Sequence, residues 1–441
     1  MKHKRIFALV VIGTRPEAIK LLPVVQAMRD SHLLAPLVIS TGQHSEMVAR
    51  VLGLDGIVPD ADLGVGRPGS TLNELFAGVL TGIERFCIER FGPPDALDTR
   101  RAMMPGTYPA GCIVHGDTSS AVAAALAAFH LQIPVAHVEA GLRTRLTLSP
   151  FPEELNRQLI ARIAAFHLAP TSTNKENLIL EGVRGDQVFV TGNTAIDALR
   201  WASRLDRPYG IPELDELPPE PRVVVVTAHR RENWGVGLAA IGSAIARLAQ
   251  ANPDIRIVLP LHPNPAVQET LRPRLENLSN VLLVSPMGYL AFAKLLNRAY
   301  LAISDSGGVQ EEAPAVGTPV LVTREVTERR EAVAAGTVQL VGTDPDRIVT
   351  AAQRLLDDPA AHLAMATAEN PYGDGRAAIR IVEAFEHLAF GTDQPSRFGS
   401  GFRRSAVLTA AGYELDMVAA TRTAPGRGRV KEEPADQLEL V

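Results

Sequence analysis

A short polar stretch near residue 305 has the residue types of an anion-binding site. Asp305, Ser306, Gly307 and Gly308 follow an apolar run at 300–303 and precede a predicted helix. Unpaired backbone N–H groups at a helix start, with the helix dipole behind them, favour anions. The glycines let a diphosphate approach the backbone, and Glu312, one turn into the helix, could accept hydrogen bonds from ribose hydroxyls. The alternative is an ordinary strand-to-helix turn capped by Ser306.

Charged side chains also follow predicted strands in the first half of the chain. Arg15 and Lys20 flank the first helical turn after the strand predicted at 6–12, and two cations there suit a phosphate. Asp117 and Glu139 follow two later strands, so two acids converge at neighbouring strand ends. Glu153 starts a helix after a proline. The alternatives are a solvated basic pair and, for Glu153, a residue that complements the helix dipole.

Three carboxylates beside one anion would repel a phosphate unless at least one of them is protonated. We therefore expect a carboxyl group with a raised pKa, which is the condition for general acid–base catalysis.

The elements that would position these residues alternate along the chain. Runs of branched apolar residues predict strands at 6–12, 36–40, 112–115, 133–138, 166–169, 188–191, 223–226, 255–259, 281–284, 301–304, 319–322 and 338–341. Helical patterns fill the gaps, beginning with a helix at 16–29. The alternation predicts an α/β protein with two Rossmann-like, doubly wound parallel-sheet domains. Such domains bind ligands in the cleft between the carboxyl ends of their strands.

A segment rich in proline and charge divides the chain of 441 residues. We predict an N-terminal domain at 1–204, a linker at 205–221 and a C-terminal domain at 222–375. An irregular, Pro-rich insertion at 92–109 predicts a surface loop. The tail at 391–441 is predicted to be largely disordered, except for one short helical pattern at 406–420.

Composition excludes several classes of function. The net charge is −5 with both signs interspersed, so neither nucleic acid nor an anionic membrane is expected as the main partner. The two cysteines, Cys87 and Cys112, indicate a reducing compartment, and we predict a cytoplasmic protein. The basic N-terminus leads into a first strand rather than a signal peptide, and no apolar run approaches the roughly 18 residues of a membrane span.

Three motifs resemble ligand-binding patterns but are interpreted as ordinary structural features. The run 64–69 matches the dinucleotide fingerprint letter for letter, but no buried strand precedes it. The run 235–240 is interpreted as a helix entry beside the cleft. Asp60 and Asp62 are interpreted as turn residues rather than as a metal-bridging pair. The eleven histidines show no metal-ligand spacing. We therefore predict no nicotinamide, flavin, metal or other cofactor.

Taken together, the motifs resemble the bacterial non-hydrolysing UDP-N-acetylglucosamine 2-epimerases over roughly residues 6–388. They are Gly-Thr-Arg-Pro-Glu at 13–17, His-Gly-Asp-Thr at 115–118, His-Val-Glu-Ala-Gly at 137–141, Pro-Glu-Glu at 152–154, Thr-Gly-Asn-Thr at 191–194, His-Arg-Arg-Glu at 229–232, Asp-Ser-Gly-Gly-Val-Gln-Glu-Glu at 305–312 and Asn-Pro-Tyr-Gly-Asp-Gly at 370–375. The resemblance implies a glycosyltransferase-B-like pair of domains, a homodimer, and a helix at 376–390 that returns to the N-terminal domain.

The resemblance also implies the reaction and the roles of residues. Members eliminate UDP from carbon 1 of UDP-N-acetylglucosamine to form 2-acetamidoglucal, then add UDP back after protonation on the opposite face. Asp117, Glu139 and Glu153 would transfer protons, and His229 would stabilise the departing diphosphate. The substrate would be bound by Arg15, Lys20, Met287, Phe292, Ser306, Gly307, Gly308, Glu312 and Arg329. Phe292 would face the uracil and Glu312 the ribose.

The chain departs from the family pattern at three places. Arg330 replaces a proline after Arg329, and Met287 stands where some relatives have glutamine. The segment 145–148 lacks the usual Gly-Asp-Leu-Tyr. That segment lies near the site where relatives bind a second, activating substrate molecule, to which Gln43, Arg143 and His262 would contribute here.

The sequence therefore predicts reversible epimerisation of UDP-N-acetylglucosamine to UDP-N-acetylmannosamine, which supplies a precursor of surface polysaccharide. One alternative is a hydrolysing epimerase that releases UDP and N-acetylmannosamine. Others are a glycosyltransferase of the same architecture and a non-catalytic regulator that binds a sugar nucleotide.

Overall fold

The computed structural model describes residues 5–399, except residue 68 and residues 94–107. Most of the predicted loop at 92–109 lies outside the described residues. The same holds for the tail beyond 399, with its helical pattern at 406–420.

The described residues form two sheets of parallel strands. The first sheet has seven strands in the order β3-β2-β1-β4-β5-β6-β7, and the second has six in the order β10-β9-β8-β11-β12-β13. All of the paired strands run parallel. The strands are β1 (Ile6–Ile12), β2 (Leu34–Ser40), β3 (Ala61–Asp62), β4 (Gly111–His115), β5 (Val135–Val138), β6 (Phe166–Ala169), β7 (Val188–Val190), β8 (Val223–Thr227), β9 (Arg256–Pro260), β10 (Val281–Val284), β11 (Leu301–Ser304), β12 (Val320–Val322) and β13 (Val338–Leu340).

Helices connect the strands and cover both sheets. They are α1 (Arg15–Asp30), α2 (Ser45–Gly53), α3 (Leu72–Phe91), α4 (Ser119–His130), α5 (Glu153–Ile163), α6 (Ser172–Leu180), α7 (Thr194–Ser203), α8 (Pro212–Asp215), α9 (Val236–Ala251), α10 (Pro265–Leu275), α11 (Tyr289–Arg298), α12 (Gly307–Glu312), α13 (Arg330–Ala335), α14 (Pro345–Asp357), α15 (Pro359–Ala366) and α16 (Ala377–Phe390). None of the described helices is long and apolar enough to span a membrane.

The predicted alternation of strands and helices is confirmed, with strand ends shifted by at most two residues. The interpretation of residues 60–62 as a turn is wrong, because Ala61 and Asp62 form β3 beside β2. The polar composition of this segment gives no strand signal, because the strand is defined by its hydrogen bonds to β2. The backbone N–H of Asp60 donates to Val38 O at 2.7 Å, and its carboxylate accepts from Val38 N at 2.7 Å.

Strand β1 is apolar along its whole length and β8 over its first four residues, which is typical of strands that are covered by helices on both faces. Leu9, Val10 and Ile12 of β1 are fully buried, as are Val224 and Val226 of β8. Burial of such side chains contributes roughly 1.5–3 kcal/mol each, so these strands anchor the two cores. The strand ends that carry polar residues are therefore held rigidly.

Helix α7 joins the two halves of the molecule. Its Ile196 and Leu199 lie in the core of the second sheet, yet the helix also packs against α1 of the first. The Asp197 carboxylate accepts hydrogen bonds from the backbone N–H groups of Ala377 at 3.2 Å and Ala378 at 2.9 Å. These contacts cap α16, which packs on α1 and α7. The last helix is thereby fixed against the first half of the chain.

Candidate active site

Glu139 lies at the centre of a charged cluster beyond β5. Lys20, from the second turn of α1, places Nζ 2.8 and 2.6 Å from its two carboxylate oxygens. Nε2 of His115, at the end of β4, lies 2.9 Å from Oε2. The backbone of Glu139 adopts φ +62°, a left-handed conformation that non-glycine residues rarely take. The contacts with Lys20 and His115 hold the carboxylate in this strained position.

The electrostatics of this cluster keep Glu139 ionised, so Glu139 is not the protonated acid expected among the three carboxylates. Burial raises the pKa of Glu139, but Lys20 and His115 outweigh it and hold the pKa well below its usual value. Burial lowers the pKa of Lys20, whereas Glu139 and, from the second domain, Glu311 and Glu312 raise it above its usual value. An ion pair, rather than protonation, therefore removes the repulsion expected near the anion. As a result, the Lys20 ammonium group would have to interact with both Glu139 and a bound phosphate.

Asp117 is held by an arginine that the sequence did not single out. Arg157, on α5, donates from Nε at 2.9 Å and from Nη2 at 2.6 Å to Oδ2 of Asp117. Asn156 donates from Nδ2 to the Asp117 carbonyl at 2.8 Å. Asn156 and Arg157 follow Glu153 by three and four residues, so a helix places them near it on one face. This spacing could have identified both residues from the sequence.

The structure distinguishes the two adjacent glutamates at the start of α5. Glu154 is fully buried and accepts hydrogen bonds from Thr144 N at 3.0 Å and from Arg157 Nη1 at 3.0 Å. Oε2 of Glu153 is also buried but has no hydrogen-bond partner among the described residues. Glu154 therefore stabilises the fold, and the Glu153 carboxylate remains available to a ligand.

Glu17 links the first two polar loops of this domain and was also missed. Its Oε2 accepts from Gly13 N at 2.9 Å and Thr14 N at 2.6 Å, and its Oε1 accepts from Thr118 Oγ1 at 2.7 Å. The capping-box pattern of Thr14 and Glu17 is the sequence signal that could have found it. Arg15 begins α1 beside this network, and its side chain makes no hydrogen bond or ion pair within the described part of the chain. It is thus a cation available to a ligand.

In the second domain, Asp305 organises the turn that carries His229. The Asp305 side chain is fully buried, and Oδ2 accepts from His229 N and Arg230 N at 2.9 Å each. Oδ1 lies 3.2 Å from Nδ1 of His229, whose side chain is 40% exposed. Burial raises the pKa of Asp305, but these contacts outweigh it and lower the pKa below its usual value. An ionised carboxylate therefore orients His229 towards the cleft.

The glycine turn after β11 lies beneath two guanidinium groups. A methyl group added at Gly307 would lie 3.2 Å from Cζ of Arg329 and 3.3 Å from Nη2 of Arg230. Ser306 is the N-cap residue of α12, and its backbone N–H donates to Ser304 Oγ at 2.9 Å. A larger residue in place of Gly307 would therefore have to displace these guanidinium groups by a few tenths of an ångström. The turn thus has two guanidinium groups close to its backbone.

The carboxylates of α12 differ in their surroundings. Glu311 accepts from Arg329 Nε at 2.8 Å and from Asn193 Nδ2 at 3.1 Å. Burial, aided by Glu311 and opposed by Lys20, raises the pKa of Glu312 to about 7. A raised pKa therefore occurs at Glu312, the predicted ribose ligand.

The predicted uracil contacts lie beside this turn. Met287 and Phe292 are partly buried against the core of the second sheet. Tyr289 lies between these residues in the sequence, and its hydroxyl is buried with no hydrogen-bond partner among the described residues. Burial, with Glu312 nearby, raises the pKa of Tyr289 well above its usual value.

The three residues predicted for a second substrate site have different partners. Gln43 accepts from Ser120 Oγ at 2.7 Å. Arg143 is almost completely buried and forms a bidentate pair with Glu181 at 2.7 and 2.8 Å. The His262 ring stacks on that of His229, with centroids 5.8 Å apart. The Arg143 guanidinium is thus engaged by Glu181.

The arrangement suits a nucleotide sugar. One domain offers Asp117, Glu139 and Glu153 at strand and helix ends, and the other offers the Gly307 turn with its arginines. Carboxylates of both domains raise the pKa of Lys20, so the two faces lie near each other at this residue. Within the described residues, no group of three or more His, Cys, Asp or Glu side chains could hold a metal ion.

Comparison with known proteins shows which family the chain is similar to. The family profile described as UDP-N-acetylglucosamine 2-epimerase matches residues 26–386. The chain is 45% identical over 388 residues to "UDP-N-acetylglucosamine 2-epimerase" of Escherichia coli (strain K12), covering 86% of this chain and 98% of the relative. A relative of the same name from Yersinia pestis is 45% identical over 387 residues, with the same coverage of both chains.

Solved structures give the same result for the fold. The crystal structure of a UDP-GlcNAc 2-epimerase from Neisseria meningitidis bound to UDP-GlcNAc has a TM-score of 0.69 and 40% identity, covering 86% of this chain and 99% of the other. Another crystal structure, of a UDP-N-acetylglucosamine 2-epimerase, has a TM-score of 0.80 and 39% identity, covering 90% of this chain and 100% of the other. The predicted glycosyltransferase-B-like fold is confirmed.

Proposed function

Because the chain belongs to the UDP-N-acetylglucosamine 2-epimerase family and is an epimerase, we propose that it interconverts UDP-N-acetylglucosamine and UDP-N-acetylmannosamine without net loss of UDP. The product is a precursor of surface polysaccharide. From the resemblance we also propose a homodimer that acts in the cytoplasm. Cys87 and Cys112 are buried free thiols, as a reducing compartment allows.

The proposed reaction is an elimination followed by a re-addition. The hydrogen on carbon 2 is not adjacent to a carbonyl group, so direct proton exchange there faces a high barrier. Instead the bond between carbon 1 and the diphosphate oxygen breaks, a carboxylate removes the proton from carbon 2, and a carbon–carbon double bond forms. UDP leaves with the electron pair of the broken bond. Protonation of carbon 2 on the opposite face and return of the UDP oxygen to carbon 1 give the epimer.

The environments of the three carboxylates support a division of labour. A carboxylate whose pKa is held far below neutrality resists protonation, so Glu139 suits the stabilisation of positive charge on the sugar ring as the bond breaks. Glu153 has an unpartnered oxygen and Asp117 is oriented by Arg157, so these two suit proton transfer. Two groups on different elements, α5 and the loop after β4, can address opposite faces of one carbon.

The second domain would hold the leaving group. His229, oriented by Asp305, and Arg329, beside Gly307, present hydrogen-bond donors to a diphosphate. Glu312 would accept hydrogen bonds from the ribose, and Phe292 would stack on the uracil. Retained UDP stays at high effective concentration beside carbon 1, which favours re-addition over escape.

The observation that carries this proposal is the contrast between the carboxylate-lined first domain and the cationic glycine turn of the second. It is best tested by incubating the protein with UDP-N-acetylglucosamine in deuterated water and following the products by NMR. We expect intact UDP-sugars with deuterium at carbon 2 in both epimers. Stoichiometric UDP and free N-acetylmannosamine would identify a hydrolysing epimerase instead. Turnover only with an added sugar acceptor would identify a glycosyltransferase.

A further inference from the structure

We propose that Glu311 is a positioning residue that ties Arg329 to both domains at once and thereby retains UDP between the two halves of the reaction. The inference rests on the proposed function, because it concerns how the leaving group is held. Glu311 was not among the residues predicted from the sequence.

The Glu311 carboxylate fixes one edge of the Arg329 guanidinium. Oε1 of Glu311 accepts from Arg329 Nε at 2.8 Å, and Glu328 accepts from Nη1 at 2.5 Å. The Arg329 guanidinium, whose Cζ and Nη1 lie over Gly307, is therefore held by two carboxylates, one on α12 and one in the loop before Arg329. Both side chains of the Glu311–Arg329 pair are largely buried, at 13% and 22% exposed. A pair in this environment is screened much less than a surface pair.

The other oxygen of Glu311 contacts the first domain. Oε2 accepts from Asn193 Nδ2 at 3.1 Å. Asn193 follows β7 closely, and the neighbouring Thr191 N donates to Ala169 O of β6 at 2.9 Å. The Glu311 carboxylate thus joins the carboxyl end of the first sheet to the arginine beside the glycine turn.

The backbone around this link is held from several sides. Asn370 Nδ2 donates to the Glu311 carbonyl at 2.9 Å, and Asn193 N donates to Tyr372 O at 2.6 Å. Thr327 Oγ1 donates to Gln310 Oε1 at 2.6 Å, which joins the loop before Arg329 to α12. Because the backbone is held by these other bonds, a change of the Glu311 side chain alters the link more than the fold.

The chemistry of the link requires a carboxylate. Both partners, Arg329 Nε and Asn193 Nδ2, are donors, and each uses its own oxygen of Glu311. Glutamine has one oxygen and one NH₂ group, so it would present a donor to one of the two donors. Loss of a charge-assisted hydrogen bond of this kind weakens an interaction by about tenfold to a hundredfold.

The test compares Glu311→Gln and Asn193→Ser with wild type. Serine keeps a cap for α7 but deletes the Nδ2 donor. Glu325→Gln is the matched control, since Glu325 lies in the same region and its side chain is 70% exposed. For each protein, free UDP and epimerised UDP-sugar are measured in the same reaction, UDP affinity by calorimetry and folding by thermal melting.

We expect Glu311→Gln to release about tenfold or more free UDP per epimerisation, with Asn193→Ser showing the same direction and Glu325→Gln matching wild type. The double variant Glu311→Gln/Asn193→Ser should leak no more than Glu311→Gln, because both changes break one link.

The inference would be overturned if the increases in free UDP release caused by the two single changes multiply in the double variant. It would also be overturned if Glu311→Gln releases no more free UDP than the control. If Glu311→Gln does not fold, Asn193→Ser becomes the deciding variant. Release of free UDP by Asn193→Ser equal to that of wild type would also overturn the inference. Failure of the proposed function is separate, since wild type itself would then release UDP stoichiometrically or make no epimer.

Discussion

Substitution of Glu312 by glutamine should separate stability from ligand binding. The pKa of this carboxyl is raised from 4.5 to about 7, chiefly by burial and then by Glu311. Ionising Glu312 in the folded protein is therefore unfavourable by about 3 kcal/mol relative to the unfolded chain, at about 1.4 kcal/mol per pKa unit. The protonated Glu312 side chain contributes its full stabilisation to the folded protein below pH 4.5. This stabilisation is lost as the pH rises through 7.

The glutamine side chain in the Glu312→Gln variant does not ionise, so the variant escapes this loss. Relative to wild type, Glu312→Gln should gain up to about 3 kcal/mol in free energy of unfolding between pH 5 and pH 8. The proposed ribose contact predicts the opposite effect on function, because an amide accepts fewer hydrogen bonds from two hydroxyls than a carboxylate does. UDP affinity at pH 8 should fall about tenfold, and less at pH 6, where Glu312 of wild type is itself largely protonated.

The assay is thermal or denaturant unfolding of both proteins at several pH values, together with calorimetric titration of UDP at pH 6 and pH 8. Glu269→Gln, at an exposed position of the same domain, controls for removal of a carboxylate. A stability difference that does not change with pH would refute the buried-acid reasoning. An unchanged UDP affinity at pH 8 would refute the ribose role independently.

Three further predictions concern the charged groups that flank the cleft. Glu153→Gln should lower kcat at least about a hundredfold without changing the melting temperature, whereas Glu154→Gln should lose about 2–4 kcal/mol of stability, because its carboxylate is buried and fully engaged; equal melting temperatures for the two would contradict this. Asp305→Asn should lower kcat/KM by about 10–150-fold through loss of the charge-assisted contact to His229, and steady-state kinetics that match wild type would exclude that role. Lys20→Met should raise the pKa of Glu139 towards its usual value, so activity should fall as the pH drops towards 5, where wild type stays active; an identical acid limb in the two pH–rate profiles would show that Lys20 does not hold Glu139 ionised.

Most of the fold could be predicted from the sequence because parallel strands buried on both faces have a strong apolar signal. The runs at β1 and β8 are examples, and each was placed to within a residue. The short β3 was missed because it has only two residues and its position depends on hydrogen bonds to β2. The packing of α7 in the second core also has no local signal, since it depends on how the two domains meet.

The sequence predicts a set of site residues but not how these residues pair. The spacing of Asp117, Glu139 and Lys20 after strands indicated that they lie at sheet edges. It did not indicate that Lys20 pairs with Glu139, or that Arg157 takes Asp117, because such pairs form between elements distant in the chain. Pairing decides which carboxyl groups stay ionised. For that reason the raised pKa of Glu312 was not predicted from the sequence.

The central claim is that the bond between carbon 1 and the diphosphate oxygen breaks while UDP remains in the cleft. It is tested most directly with UDP-N-acetylglucosamine that carries ¹⁸O in the oxygen bridging carbon 1 and the β-phosphate. The proposed mechanism predicts that, during epimerisation, the label appears in the non-bridging β-phosphate oxygens of recovered UDP-sugar, because the released diphosphate can rotate before it returns. Epimerisation with the label kept wholly in the bridge would contradict it.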